Sequence, residues 1–249
     1  MGPRLPWAGK KVQLQNVEEE LSHLWRMSAD NVRTSQNINV RTSVLNLVIC
    51  APDLATAQRA SKFMRDLLST HIARFTLLVL DSSNTTSSVS SWVTLRSFPI
   101  ISDVMRHSFE QVTLLVSGNA VHSAASIIQP LLKPDLPIYL WWINDPPQDS
   151  PTFVDLVKMS TRVIVDSHTF FQPEEGIRTL SSFMEQEAES AISDLNWGRV
   201  TPWRELVAQF FDIAEYRPYL SGVHRIEIEH TVIPEGGHVR TELGDVSPD

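Results

Sequence analysis

Asp135-Leu136-Pro137-Ile138-Tyr139-Leu140-Trp141-Trp142 is the stretch that decides the fold. It is reached through Leu131-Leu132-Lys133-Pro134 and left through Asn144-Asp145-Pro146-Pro147, so prolines bracket a run dominated by strand formers. Such a run reads as a buried strand. Side chains alternate along a strand, so the two adjacent indoles must face opposite sides of a sheet. Two large aromatics at a strand's carboxyl end, followed by a polar turn, mark the place where an open α/β sheet presents ligands or partners.

Working outward, four further apolar runs have the same character: Val44 to Cys50, Phe75 to Leu80, Val112 to Val116 and Arg162 to Asp166. Helical spacing separates them. Asp53 to Thr70 places Leu54, Ala57, Ala60, Met64, Leu67 and Leu68 near one stripe, and Ala120 to Leu132, Pro151 to Met159 and Pro173 to Ile192 also read as helices. Trp92 to Phe98 alternates like a half-exposed strand, and Asp81 to Ser91, rich in Ser, Thr and Asn, reads as a loop. Near-continuous apolar strands alternating with helices predict an α/β fold, a mostly parallel sheet with helices on both faces.

The ends differ from this middle. Val17 to Met27 has helical spacing with Glu18, Glu19 and Glu20 in its first turn, and reads as a short docking helix. Asn31 to Thr42 is polar and reads as a linker. Downstream, Thr201-Pro202 is a helix start, followed by a stripe of Trp203, Leu206, Val207, Phe210 and Phe211. Val223 to Glu229 alternates as a strand exposed on one side, and the remainder, with Gly236-Gly237, reads as a turn and loose tail. The expected organisation is an N-terminal helix and linker over residues 1–42, an α/β domain over 43–192, and a small C-terminal α+β unit over 193–249 that reads as truncated.

Composition limits the chemistry. The chain has 249 residues, 42% of them apolar, and a formal charge of −8. That balance, without clustered Lys and Arg, gives no footprint for nucleic acid. No apolar run is long enough to cross a bilayer, and no continuous apolar segment follows Arg4, Lys10 and Lys11, so neither a membrane span nor a secretory leader is expected. The expectation is a soluble, cytoplasmic protein. The single cysteine, Cys50, closes an apolar run and reads as a buried small side chain, which excludes an internal disulfide.

Chemical motifs are few. No Gly-x-Gly-x-x-Gly follows a strand and no Gly-x-x-x-x-Gly-Lys is present, so no nucleotide cofactor is implied. Gly118 and Asn119, in the turn Ser117-Gly118-Asn119, offer amides to an anion or simply a permissive turn. Asp81, Asp135, Asp145 and Asp166 fall near strand ends, where they either converge as acid and base or satisfy turn amides, the commoner use of Asp. The possible ligand pocket is therefore Asp81, Gly118, Asn119, Asp145 and Asp166. Ser167 beside His168 reads as a turn residue, because adjacent residues do not make a triad. His224 and His230 would share a strand face, but no cysteine completes a metal set, and no metal site is assigned.

Four stretches in order resemble a known family: Arg41 to Val48, Pro130 to Trp142, Arg162 to Ser167, and Asp194-Leu195-Asn196-Trp197 through Thr201-Pro202-Trp203-Arg204. Together they look like the glucose-6-phosphate dehydrogenase assembly protein OpcA family, over about Val17 to Asp212. The resemblance implies a non-enzymatic effector that binds glucose-6-phosphate dehydrogenase and promotes its assembly or active state in the oxidative pentose phosphate pathway, the route by which that enzyme reduces NADP. Redox control through C-terminal cysteines, associated with cyanobacterial members, does not carry over to a chain with only Cys50.

Aromatics with arginine are the usual anchors of protein partners, and Asn196, Trp197, Arg199, Trp203 and Arg204 have that composition beside a helix start. The other reading of this corner is internal packing, with both indoles buried. The alternative to an effector is an enzyme acting on a sugar phosphate through the strand-end carboxylates.

Overall fold

A computed structural model describes residues 5–35, 38–40, 43–67, 73–99, 105–147, 149–186, 190–222, 226–232 and 240–246. Strand β1 (Lys10–Val12) leads into α1 (Val17–Ser35), followed by β2 (Ile38–Val40), β3 (Leu45–Ala51) and α2 (Leu54–Leu67). Three strands follow, β4 (Ala73–Asp81), β5 (Ser88–Pro99) and β6 (Met105–Ser117), and then α3 (Ala124–Ile128) between two 3-10 turns. The alternation resumes with β7 (Ile138–Trp142), α4 (Pro151–Lys158), β8 (Arg162–Val165), α5 (Pro173–Gln186) and β9 (Ala191–Asp194). Short helix α6 (Leu195–Arg199), α7 (Thr201–Asp212) and α8 (Arg217–Leu220) precede strands β10 (Ile226–Val232) and β11 (Arg240–Val246). Chain contacts divide the molecule into two units, Met1–Trp197 and Gly198–Asp249.

The first unit is built on one sheet in the order β1-β5-β6-β4-β3-β7-β8-β9, with β2 paired to the first residues of β6. All pairs from β6 across to β9 are parallel, and β5 and β1 join antiparallel. This is the α/β architecture the apolar runs predict. Strand β3 lies centrally: the chain moves from it to β4 and β6 on one side, then returns to lay β7, β8 and β9 on the other.

The sheet carries two cores because its strands are apolar on both sides. Val48, Cys50, Leu78, Leu114, Leu140 and Val163 face the side covered by α1, α3, α4 and α5, which contribute Leu21, Ile128, Phe153 and Leu180. Leu47, Ile49, Phe75, Leu77 and Val79 face α2, which contributes Ala57, Ala60 and Met64. Each fully buried aliphatic or aromatic side chain stabilises the fold by roughly 1.5–3 kcal/mol before entropy is charged against it. Trp141 and Trp142 divide as the alternation requires: Trp141 packs edge-on against Phe63 of α2 at 5.9 Å, and Trp142 against Phe153 of α4 at 4.9 Å.

The turn leading into β7 is held by a buried side chain that sequence reading passed over. Asn46 donates its amide to the carbonyls of Lys133 and Leu136 and accepts the Lys133 N–H at 2.8 Å. Asp135, at φ 63°, lies in this turn at the amino end of β7, away from the strand-end carboxylates with which it was grouped.

Several expectations are corrected. The polar stretch Asn31 to Thr42 is not wholly a linker: α1 runs on to Ser35, and Ile38–Val40 pairs with β6. The helix expected to reach Ile192 ends at Gln186, and Ala191–Asp194 forms a parallel strand against β8. Ala120 to Leu132 is a short α-helix flanked by 3-10 turns. Residues 68–72 and 223–225, with His224, lie outside the described residues.

In the second unit α7 begins at Thr201 with Pro202 in its first turn, where proline's missing N–H costs nothing. Phe210 stacks on Tyr216 at 5.2 Å with an interplanar angle of 9°. The tail expected after β10 instead supplies β11, which pairs with it antiparallel from Ile226↔Val246 to Val232↔Arg240. Gly236-Gly237 lies outside the described residues.

Candidate functional site

Helix α2, following β3, covers one face of the sheet, whereas α4, following the neighbouring β7, covers the other. Between such strands the connections part, and a crevice opens at their carboxyl ends. A cavity of about 320 Å³ occupies that place. Cys50, Ala51 and Pro52 at the end of β3, Leu80 and Ser82 around the end of β4, and Trp142 to Asp145 at the end of β7 form its walls, with His122 from the 3-10 turn after β6 and Ser150 and Thr152 from the start of α4.

Local chemistry shapes each wall. Ser150 caps α4 by accepting the Phe153 N–H, and Thr152 donates its hydroxyl to the Val121 carbonyl, tying α4 to the turn after β6. The Trp142 indole N–H reaches the Asp145 carbonyl at 3.1 Å, closing the turn after β7. Asn144 in this turn has φ 149°, in the positive region that non-glycine residues seldom occupy. Burial pushes the Cys50 thiol pKa far up, so it remains protonated and inert.

Of the five residues grouped as a pocket, Asp145 lines this cavity, whereas Asp81, Gly118, Asn119 and Asp166 are not among its lining residues. Asp145 accepts the Phe171 N–H at 2.7 Å on one oxygen and the Gln172 N–H at 2.9 Å on the other, joining the turn after β7 to the start of α5. Asp81 accepts the Ser83 hydroxyl at 2.7 Å and pairs in register with Ser117, directly before Gly118 and Asn119. Gly118, at φ 60°, sits against the loop after β4, where an added Cβ would come 3.0 Å from the Asn84 carbonyl oxygen. Asp166 opens the turn after β8, where its carbonyl accepts the Thr169 hydroxyl.

A second network lies at the ends of β8 and β9. Ser167 donates its hydroxyl to Asp194 at 2.6 Å and its N–H to the other carboxylate oxygen at 3.0 Å. Asp194 also accepts the Asn196 N–H, and the Asn196 amide donates back to the Ser167 hydroxyl at 3.1 Å. Asn196 is thus fixed within the first unit, immediately before Trp197, whose side chain is 61% exposed. Ser167 and Asn196 stand out separately in the sequence, and Asp194 only within the family-like stretch; the strand Ala191–Asp194, which sets Asp194 between them, is not visible in a sequence that reads as helix up to Ile192.

The division between units falls inside α6, so Arg199, Trp203 and Arg204 belong to the second unit. There Trp203 is 70% exposed, and the Arg204 guanidinium donates to the Thr201 hydroxyl at 2.7 Å. No group of three metal-ligating side chains occurs among the described residues. Nor is any helix among them long and apolar enough to cross a membrane.

The fold and its crevice define a doubly wound α/β domain followed by a small α+β unit. Two profiles of a single family match the chain in order: the glucose-6-phosphate dehydrogenase subunit N-terminal domain over residues 64–182, and its C-terminal domain over 190–241. The chain belongs to the glucose-6-phosphate dehydrogenase assembly protein OpcA family. Proteins carrying the name OxPP cycle protein OpcA are similar to it. The Synechocystis sp. protein is 33% identical over 131 residues, which is 53% of this chain and 26% of the relative. The Nostoc punctiforme protein is 33% identical over 121 residues, 49% of this chain and 26% of the relative, and the Synechococcus elongatus protein 34% over 121 residues, 49% and 27%. The matched stretch spans about a quarter of each relative's length.

Proposed function

We propose that this chain is a non-enzymatic effector that binds glucose-6-phosphate dehydrogenase and promotes its assembly or active state in the oxidative pentose phosphate pathway. The observation that carries this reading is membership, over both domain profiles in order, of a family described by its association with that enzyme. Asp145 supports it against the enzymatic alternative: each of its carboxylate oxygens is committed to a backbone amide, as suits a structural tie rather than a general base.

An effector activates only by binding the active conformation more tightly than the inactive one, and a difference of ~1–3 kcal/mol shifts the equilibrium about five- to a hundred-fold. The exposed indoles of Trp197 and Trp203, with Arg199 and Arg204 nearby in sequence, supply the side-chain types that anchor such contacts. Trp197 is presented from the Ser167–Asp194–Asn196 network, which limits the entropy lost when a partner covers it.

Mixing the purified chain with the dehydrogenase tests the reading. A saturable rise in turnover or fall in KM for glucose 6-phosphate, with no activity from the chain alone, is the expected result. Turnover of a sugar phosphate by the chain alone, lost on Asp166→Asn, would establish the enzymatic alternative, and co-elution without kinetic effect would reduce the role to a structural one.

A further inference from the structure

The chain is acidic, yet one of its cavities is lined by three cations and no carboxylate. It has a volume of about 460 Å³ and lies on the α2 side of the sheet. Arg59 and Lys62 reach it from α2, where spacings of three and four residues place Gln58, Arg59 and Lys62 on one face. Arg96 reaches it from β5, and the Trp7 ring supplies an aromatic wall.

The parts are held before any ligand arrives. Arg96 donates Nε to the Gln111 amide oxygen at 2.8 Å and Nη2 to the Trp7 carbonyl at 2.7 Å, which fixes the plane of the guanidinium. The Trp7 segment is itself pressed onto β5: Gly9 has φ 94°, and an added Cβ would stand 2.2 Å from the Val93 carbonyl oxygen. Ser61, 3% exposed, shares the Gln111 oxygen and stands 3.3 Å from Arg96. Asp53, which interacts with Arg59, has its oxygens on the Thr56 amide and hydroxyl at the start of α2.

We propose that this cavity is a binding site for a phosphorylated small molecule, its phosphoryl group held by Arg59 and Lys62, with Arg96 a fixed positive charge in the wall behind them and its remaining body against Trp7. Guanidinium and ammonium groups converging on a pocket whose lining holds no carboxylate create a positive potential that favours a compact dianion. The walls of the cavity favour an ester over the free ion, because an aromatic face rewards a carbon body attached to the phosphate. The site is distinct from the strand-end crevice and independent of the dehydrogenase reading.

The test is calorimetric titration of the full chain with inorganic phosphate, with glycerol 3-phosphate and with glycerol, at ionic strength held constant with chloride. Saturable binding of the two phosphates and none of glycerol is expected. Equal affinity for the two assigns the site to the phosphoryl group alone, and tighter binding of the ester assigns it to a phosphorylated metabolite. Arg59→Gln with Lys62→Gln should weaken binding by roughly tenfold or more, the size of a lost charge-assisted hydrogen bond. Lys62→Gln alone, on an exposed side chain, replaces the double variant if that variant melts early. Absence of saturable binding, or affinity unchanged in a folded variant, overturns the proposal.

Discussion

Ser167 donates its hydroxyl to the Asp194 carboxylate at 2.6 Å, so the serine that stands beside a histidine in sequence is a strut between β8 and β9. Asp194 gathers three hydrogen bonds through its two oxygens, including the Ser167 and Asn196 amides. Asp194→Ala strands these donors and should cost ~1–3 kcal/mol, read as a fall in melting temperature. Ser167→Ala keeps the Ser167 N–H on Asp194 and should cost less, read in the same melts.

The adjacent indoles make a second test. Trp142→Ala opens a space beside Phe153 and frees the turn after β7, and should destabilise by about 3 kcal/mol or more. Trp141→Ala removes the contact with Phe63, which is itself 58% exposed, and should cost less. Denaturant melts of both variants rank them, and the reverse order would contradict the assignment of the deeper packing to the α4 side.

Asp53 links stability to pH. Its pKa lies below the ordinary 3.8, first because it accepts the Thr56 amide hydrogen bond. A carboxyl whose folded pKa is depressed stabilises the fold above its unfolded pKa, and this contribution fades as pH falls through the folded one. Asp53→Ala should therefore cost ~1 kcal/mol at neutral pH, as loss of a helix cap does. The difference from the parent protein should shrink as pH drops below 3.8, in melts run across that range.

The corner of Arg199, Trp203 and Arg204 is tested by Arg199→Ala with Arg204→Ala. The pair should weaken dehydrogenase binding while leaving melting nearly unchanged, checked by calorimetry against the parent chain. Early melting without a binding defect would return both arginines to a structural role.

Cys50 is 2% exposed and its thiol is held protonated by burial. A thiol reagent should label it only as fast as the domain opens, so the labelling rate should rise with denaturant. Rapid labelling of the native chain would contradict this.

Legibility followed burial. Most of Val44 to Cys50, Phe75 to Leu80 and Val112 to Val116 is buried on both faces, although Val44 itself is exposed, so their sequences carry continuous apolar runs and announce themselves as strands. Ala191–Asp194 has no such run: its residues are exposed or half-buried, and its Ser193 and Asp194 serve hydrogen bonds. Ile38–Val40 and Lys10–Val12, each three residues long, are too short to show a period. The candidate site was half legible. Asp145 follows the strand whose carboxyl end was singled out, but its partners Phe171 and Gln172 lie after β8, and only the strand order brings them together.

The outermost strands of the sheet decide how a partner can attach. On one side the sheet ends in the three residues of β1, two of them lysines; on the other it ends in the four residues of β9. Short, charged borders offer little backbone for another chain to extend the ladder. A partner that meets the sheet at β1 or β9 is therefore recognised through side chains more than through backbone pairing, so single substitutions there map the contact in a way that a backbone-mediated joint would conceal.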